Sequence, residues 1–160
     1  MIGETALREL RELRTRRAMA RRVRRLARDL ELAPPFGARE FAQRLARKRV
    51  YIMIEPRRMG RQPIYGSCKP DGEYYHIYYR DDAGEILGER IIWHELGHIV
   101  LGYVTPDGRE VQRRNLNSEE ERLVELWAEA MEMYAGSGRA RSHVSLTGLG
   151  RIIDDLGKAR

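Results

Sequence analysis

The sequence predicts an α+β domain in which helices pack around a small, mostly antiparallel β-sheet. A long segment with helical spacing of its apolar residues precedes Ala33. Runs of β-branched and aromatic residues follow between residues 50 and 79, and two further helical segments come after them. These three observations indicate strands in the middle of the chain with helices on either side. A chain of 160 residues is long enough to bury a hydrophobic core.

The first predicted element is a helix over residues 4–32, which contain neither glycine nor proline. Its apolar positions recur at helical intervals: Leu10, Leu13, Ala20, Val23, Ala27 and Leu30. Two arginines at positions 16 and 17 interrupt this stripe, so we expect the helix to pack loosely, to pair with another chain or to dock on a partner. Pro34 and Pro35 end the helix because proline disrupts a helix interior. We therefore divide the chain into a basic N-terminal helix, residues 1–33, and a main domain, residues 34–160.

The positive charge of the chain is concentrated near its N-terminus. Residues 1–50 carry 15 Lys/Arg and 6 Asp/Glu, whereas the net charge of the whole chain is only +6. One interpretation is that residues 1–50 contact nucleic acid or an acidic partner. The other interpretation is a solvated helix face, and the preference for Arg over Lys along the whole chain favours it.

Three strands are predicted after a second amphipathic helix over residues 37–48. Residues 50–54 are almost wholly apolar, β-branched or aromatic, which predicts a buried strand. Residues 64–68 and 73–79 form the other two strands, and a turn at residues 69–72 separates them. The last strand carries four tyrosines. It is either an ordinary strand packed on both faces or an edge strand that aligns an extended peptide.

Two helices are predicted in the second half of the chain. Residues 85–101 have helical periodicity and form the most apolar helix. A further helix begins at Asn117 or Ser118 and ends near Ala135, and the acidic residues of its first turn suit the positive end of the helix dipole. A last amphipathic segment, residues 146–156, is expected to pack back on the domain.

A chemical function is indicated by His94-Glu95-Leu96-Gly97-His98 in the apolar helix. Residues four apart lie on one face of a helix, so both imidazoles can reach one ion, and two imidazole nitrogens suit tetrahedral zinc. Glu95 lies beside them, where it can accept a proton from water that zinc has acidified. We therefore predict that His94 and His98 bind Zn²⁺ and that Glu95 is a general base. A pair of metal-free helical histidines is the alternative.

The third zinc ligand is less well defined by the sequence. The candidates are His76, His143, Cys68, Asp107 and the glutamates of the helix that begins near residue 118. We choose Glu125, with Glu129 one turn later as the acceptor of a hydrogen bond from a ligating histidine. Periodicity alone favours a solvated acidic stripe made of four glutamates: Glu121, Glu125, Glu129 and Glu132.

The motif and its spacing resemble the ImmA/IrrE family of metallopeptidases, in the gluzincin branch of zinc peptidases. His94–His98 is followed 27 residues later by Glu125-Leu126-Trp127-Ala128-Glu129, and the resemblance covers roughly residues 37–135. It implies a zincin-like fold, zinc ligands His94, His98 and Glu125, and Glu95 as general base. Glu129 stands where the family usually has Asn or Asp, and residues 131–132 and 136–138 also depart from its pattern. The resemblance therefore supports the zinc site in this chain more strongly than it supports any particular substrate.

The resulting hypothesis is a zinc-dependent intracellular endopeptidase. The resemblance implies a selective protease whose substrate is a regulatory, repressor-type protein that binds DNA. Tyr134, Tyr103 and His143 are candidates to stabilise the oxyanion of the tetrahedral intermediate. The alternative hypothesis is a zinc-stabilised, non-catalytic module that docks a repressor or nucleic acid through the basic N-terminal helix.

The composition favours a cytoplasmic location. The single cysteine, Cys68, excludes an intramolecular disulfide and is typical of a reducing compartment. No apolar run is long enough to cross a bilayer, and the N-terminus lacks the apolar region of a secretory signal. We therefore expect a cytoplasmic protein without a membrane partner.

Overall fold

The structure, a computed structural model, describes residues 2–61, 65–104 and 118–137. Within these ranges it has seven regular elements: α1 (Ile2–Asp29), α2 (Ala38–Leu45), β1 (Tyr51–Arg57), β2 (Gly66–Asp71), β3 (Tyr74–Arg80), α3 (Gly84–Val100) and α4 (Ser118–Ala135). A short 3-10 helix, Ala46–Lys48, follows α2 directly. The predicted α+β class is confirmed. The segment predicted as a helix over residues 146–156 lies outside the described residues.

The sheet is mixed, not mostly antiparallel as predicted. Its strand order is β1–β3–β2, with β1 and β3 parallel and β2 and β3 antiparallel. A tight turn joins β2 to β3, and Gly72 occupies it with a φ of +61° that glycine adopts without strain. Because this hairpin returns the chain between β1 and β2, the tyrosine-rich strand β3 is central. The hypothesis that the tyrosine-rich strand is an edge was therefore wrong.

β1 is an edge strand with one exposed face. Tyr51 and Met53 are 38% and 42% exposed, whereas Ile52 and Ile54 are partly buried against the core. The prediction of a buried strand was wrong because a run of apolar residues does not reveal whether both faces of the sheet are covered. On the uncovered face, Tyr51 packs against Tyr74 of β3, with ring centroids 5.7 Å apart.

The two halves of α1 have different environments. In the C-terminal half, Met19, Val23 and Ala27 are buried in the same hydrophobic core as residues of the other helices. In the N-terminal half, Leu10 and Leu13 are 52% and 45% exposed. The expectation of loose packing therefore fits only the N-terminal half. The C-terminal half shares one core with residues beyond position 33, where the sequence led us to divide the chain.

Beyond its exposed first turn, α3 is largely buried because α2, α4, β2 and β3 surround it. An aromatic cluster fixes its position: Trp93 of α3 contacts Phe36, Phe41 and Trp127, with ring centroids 5.3 to 6.3 Å apart. A helix that is apolar on every side is expected at such a place. Neither α3 nor any other helix in the described ranges has the length and hydropathy needed to cross a membrane.

Candidate metal centre

His94 and His98 lie one turn apart on α3, and their side chains converge. Their Nε2 atoms are 3.2 Å apart, and the two rings are inclined at 73° to each other. Two nitrogens that bind one tetrahedral zinc ion at its usual bond length are separated by about 3.3 Å. The pair therefore has the separation that a shared ion requires.

Glu121 of α4 completes a group of three ligands around the same point. One carboxylate oxygen lies 3.4 Å from Nε2 of His94, and the other lies 3.6 Å from Nε2 of His98. The donor atoms of the three side chains all lie within 4.8 Å of one another. Two imidazoles and one glutamate are a ligand set that catalytic zinc sites use. The residues present thus fit a zinc ion.

Glu125, the predicted third ligand, is not part of this group in the structure. It is exposed, one turn after Glu121. Four residues advance a helix by about 6 Å and turn it by about 40°, which carries Glu125 away from the face that packs on α3. Val124 and Trp127 form that face, since a Cβ atom at Gly97 of α3 would lie 3.0 and 3.2 Å from them. In the structure Glu121, and not Glu125, lies with the two histidines. Glu121 is one of the glutamates that the sequence offered as candidates for the third ligand, but it was not the one chosen.

Glu129 and Tyr134 lie near the other end of α4. Glu129 accepts a hydrogen bond of 3.0 Å from Arg16 of α1, and the Tyr134 ring packs against Phe36 at 6.1 Å. They follow Glu121 by about 12 and 20 Å along the helix axis. The structure therefore does not bring Glu129 to a ligating histidine or Tyr134 to the candidate metal centre. Glu129 instead pairs with Arg16 across the contact between α1 and α4.

Tyr103 lies beside His98. The helix α3 ends with the backbone N–H of Tyr103 donating to the carbonyl of His98 at 2.9 Å, and the ring centroids of the two residues are 6.5 Å apart. Burial, followed by the charge of Glu120, raises the pKa of the Tyr103 phenol, although Arg22 opposes the change. The phenol therefore stays protonated at neutral pH and can donate a hydrogen bond. Another predicted oxyanion candidate, His143, lies outside the described residues.

Glu95 is buried where α3 meets the first residue of β2. The residue is only 3% exposed. A Cβ atom at Gly66 would lie 2.8 Å from Oε1 of Glu95 and would overlap the side chain of Ile91. Glu95 can occupy this position because residue 66 has no side chain. No local sequence pattern indicates this role of Gly66, since β2 and α3 are brought together only by the fold.

The other predicted candidates for the third ligand lie elsewhere or are not described. His76 is on the sheet, where its Nε2 lies 3.4 Å from Asp71, and Cys68 is a buried thiol of β2. Neither belongs to the group formed by the two histidines of α3 and Glu121. Asp107 lies outside the described residues.

The candidate metal centre is open on one side. The side chain of His94 is 31% exposed, whereas that of His98 is 3% exposed. Structural zinc sites are usually closed by four protein ligands, whereas catalytic sites have three and keep a position for water or substrate. In the part of the chain that the structure describes, the group has three side chains, of which one imidazole is partly exposed.

Comparisons of the chain with protein-family models, curated proteins and solved structures found no match. The fold and the site define the class of the protein in chemical terms. It is an α+β domain in which two packed helices, α3 and α4, carry a group of side chains that could hold a metal ion.

Proposed function

We propose that the protein is a zinc-dependent peptidase with His94, His98 and Glu121 as its zinc ligands. The observation that carries the proposal is the convergence of three side chains from two helices. The two Nε2 atoms are 3.2 Å apart, and the carboxylate oxygens of Glu121 lie 3.4 and 3.6 Å from them. Magnesium and calcium prefer sites made of oxygen atoms, whereas zinc accepts imidazole nitrogen and carboxylate oxygen together. The donor set therefore favours zinc.

The residues around the ligands support hydrolysis as the reaction. Zinc bound here would supply Lewis acidity, which lowers the pKa of water and polarises a carbonyl group. Glu95 follows His94 directly, and in the proposal its carboxylate accepts a proton from the attacking water and later passes it to the leaving amine. Tyr103 would donate a hydrogen bond to the oxyanion, since its phenol is protonated and lies beside His98.

A peptide as the substrate is part of the proposal because the motif His94–His98 resembles that of a metallopeptidase family. The resemblance to the ImmA/IrrE family favours a repressor-type regulatory protein as the natural substrate.

The proposal is tested by replacing Glu95 with Gln, which keeps the size of the side chain but removes the base. The zinc-loaded wild-type protein and the variant are incubated with a peptide mixture derived from a proteome, and newly formed N-termini are counted by mass spectrometry. General bases contribute about 10²- to 10⁴-fold to the rate, so we expect a loss of that size. The zinc content should stay at one ion per chain.

A matched control and a rival outcome make this experiment decisive. Glu85→Gln changes an exposed glutamate on the same helix and should leave cleavage unchanged. Cleavage by Glu95→Gln at the wild-type rate contradicts the proposed base. If the wild-type protein binds zinc but produces no new N-termini, the non-catalytic zinc-stabilised module is the better description.

A further inference from the structure

The outer face of α1 carries six arginines, which we call the arginine stripe. They lie within a sector about 100° wide on the helix: Arg14, Arg17, Arg21, Arg24, Arg25 and Arg28. All six are exposed, and in the described residues the ion pairs of α1 involve only Glu12 and Arg16, which lie off the stripe. No acidic residue occurs between Arg14 and Arg28. The stripe is therefore an uninterrupted row of positive charge.

The opposite face of α1 fixes the direction of the stripe. Met19, Val23 and Ala27 are buried in the core, about half a turn of the helix away from the arginines. Arg16 also pairs with Glu129 of α4. Amphipathic helices bind membranes by inserting their apolar face, but the apolar residues opposite the stripe, Met19, Val23 and Ala27, are already buried in the protein. Between Arg14 and Arg28, α1 therefore offers a partner the charge of the stripe and not an apolar surface.

We propose that the arginine stripe binds duplex DNA through its backbone phosphates, without reading the base sequence. Arg14 and Arg28 are about 21 Å apart along the helix axis. One strand of B-DNA presents about six phosphates over that length, so the six guanidinium groups match the phosphates in number and extent. Arginine can also contact guanine, but the match in number and extent is with the backbone phosphates, and contacts to phosphates carry no sequence information.

The shape of the stripe favours DNA over duplex RNA. The major groove of B-DNA admits an α-helix, whereas the major groove of A-form RNA is deep and too narrow for side chains to read. A helix that presents its cations over a single sector can lie along the wider groove and reach the phosphates that line it. This inference goes beyond the proposed peptidase and does not depend on zinc or on hydrolysis.

The proposal is tested by measuring how DNA affinity depends on salt. The full chain is titrated into a fluorescent 20-base-pair duplex of mixed sequence, and anisotropy gives Kd between about 50 and 200 mM NaCl. Each phosphate contact contributes about −0.9 to the slope of log affinity against log salt concentration, so six contacts predict a slope of about −5.4. The affinity should then fall roughly a thousandfold over this range.

Two triple variants locate the contact. Arg14→Gln, Arg21→Gln and Arg25→Gln together should reduce the steepness of the slope to about −2.7, which is roughly a fortyfold fall in affinity over the same salt range. Lys48→Gln, Arg58→Gln and Arg61→Gln remove the same charge from exposed positions outside α1 and should preserve the wild-type slope. The single change Arg21→Gln should alter the slope by about 0.9, and circular dichroism checks that each variant is folded.

Three results would overturn the proposal. A salt response close to zero excludes phosphate contacts, and an equal change of slope in the two triple variants shows that net charge, not the stripe, controls binding. Equal or tighter binding of an RNA duplex of the same length removes the assignment to DNA.

Discussion

The contact between α3 and α4 and the arginine stripe of α1 are both charged helix surfaces, and they differ in how the charged groups are arranged. At the α3–α4 contact, His98 is 3% exposed and its donor atom points toward those of His94 and Glu121. On α1, the charged groups are exposed and follow one another along a line. Converging donors suit a single ion, whereas a row of like charges suits an extended polyanion. Burial and direction, more than residue type, distinguish these two uses of charge.

The largest effect that can test this comparison is the loss of one converging donor. Glu121→Gln removes a negative charge from the proposed zinc ligands. Loss of a partner that only supports a ligand already costs about 10- to 100-fold in metal affinity, so we expect a weakening of at least that size. The measurement is a competition titration with a chromophoric zinc chelator.

Glu125→Gln is the matched control, one turn along the same helix. The structure predicts that it leaves zinc affinity unchanged because Glu125 is exposed and lies outside the ligand group. The resemblance to the ImmA/IrrE family predicts the reverse order of the two variants. A loss of zinc in Glu125→Gln alone would show that α4 packs on α3 one helical turn away from its position in the structure.

The fold class and the positions of the helices could be predicted from the sequence because periodicity and prolines are local signals. The predicted helix over residues 85–101 corresponds to α3, Gly84–Val100, and the one from Ser118 to Ala135 corresponds to α4. Strand pairing is not a local property, since it depends on which segments meet. The sequence therefore predicted three strands but neither the parallel pairing of β1 and β3 nor the central position of β3.

The candidate metal centre shows the same limit. His94 and His98 belong to one turn of one helix, so their spacing predicts that their side chains share a face. The choice between Glu121 and Glu125 depends on how far α4 slides and turns against α3, which is set by contacts such as Gly97 with Val124. No pattern within α4 encodes that register. The spacing of residues within one helix predicted which side chains share a face. The position of one helix relative to another could be obtained only from the structure.

The second effect tests how closely α3 and α4 must approach. In Gly97→Ala, the new Cβ would lie 3.0 Å from Val124 and 3.2 Å from Trp127, both buried. Overpacking of a core costs about 1–3 kcal/mol, so thermal unfolding should occur at a lower temperature and zinc should bind more weakly as α4 is displaced.

Gly88→Ala is the control because it gains the same helix propensity on the same helix. Its Cβ would meet only the edge of the Tyr79 ring, at 3.3 Å, on the side of α3 away from α4. Its melting temperature should fall less, and its zinc affinity should not change. Equal behaviour of the two alanine variants would mean that the α3–α4 spacing does not control the site.

The smallest expected effect is a change in the pH dependence of stability. It concerns a carboxylate of α4 that pairs with α3 but does not belong to the ligand group. Glu132 of α4 accepts a hydrogen bond of 3.0 Å from Arg90 of α3, about 16 Å along α4 from Glu121. Burial raises the pKa of Glu132 above 4.5; Arg90 opposes this and Glu89 adds to it. The folded state therefore holds this proton more tightly than the unfolded state does. The resulting stability is complete at low pH and is lost as the pH rises through the raised pKa.

Glu132→Gln removes that titration, so its free energy of unfolding should depend less on pH above 4.5 than that of the wild-type protein. Loss of the pair with Arg90 should cost about 1 kcal/mol or less, because such partly exposed ion pairs contribute little. Chemical denaturation at several pH values measures both effects. Zinc affinity should remain at the wild-type value, in contrast to Glu121→Gln. Release of zinc by Glu132→Gln would show that the acidic residues of α4 bind the metal through their combined charge. The distinction between converging donor atoms and a row of exposed charges would then not hold within α4.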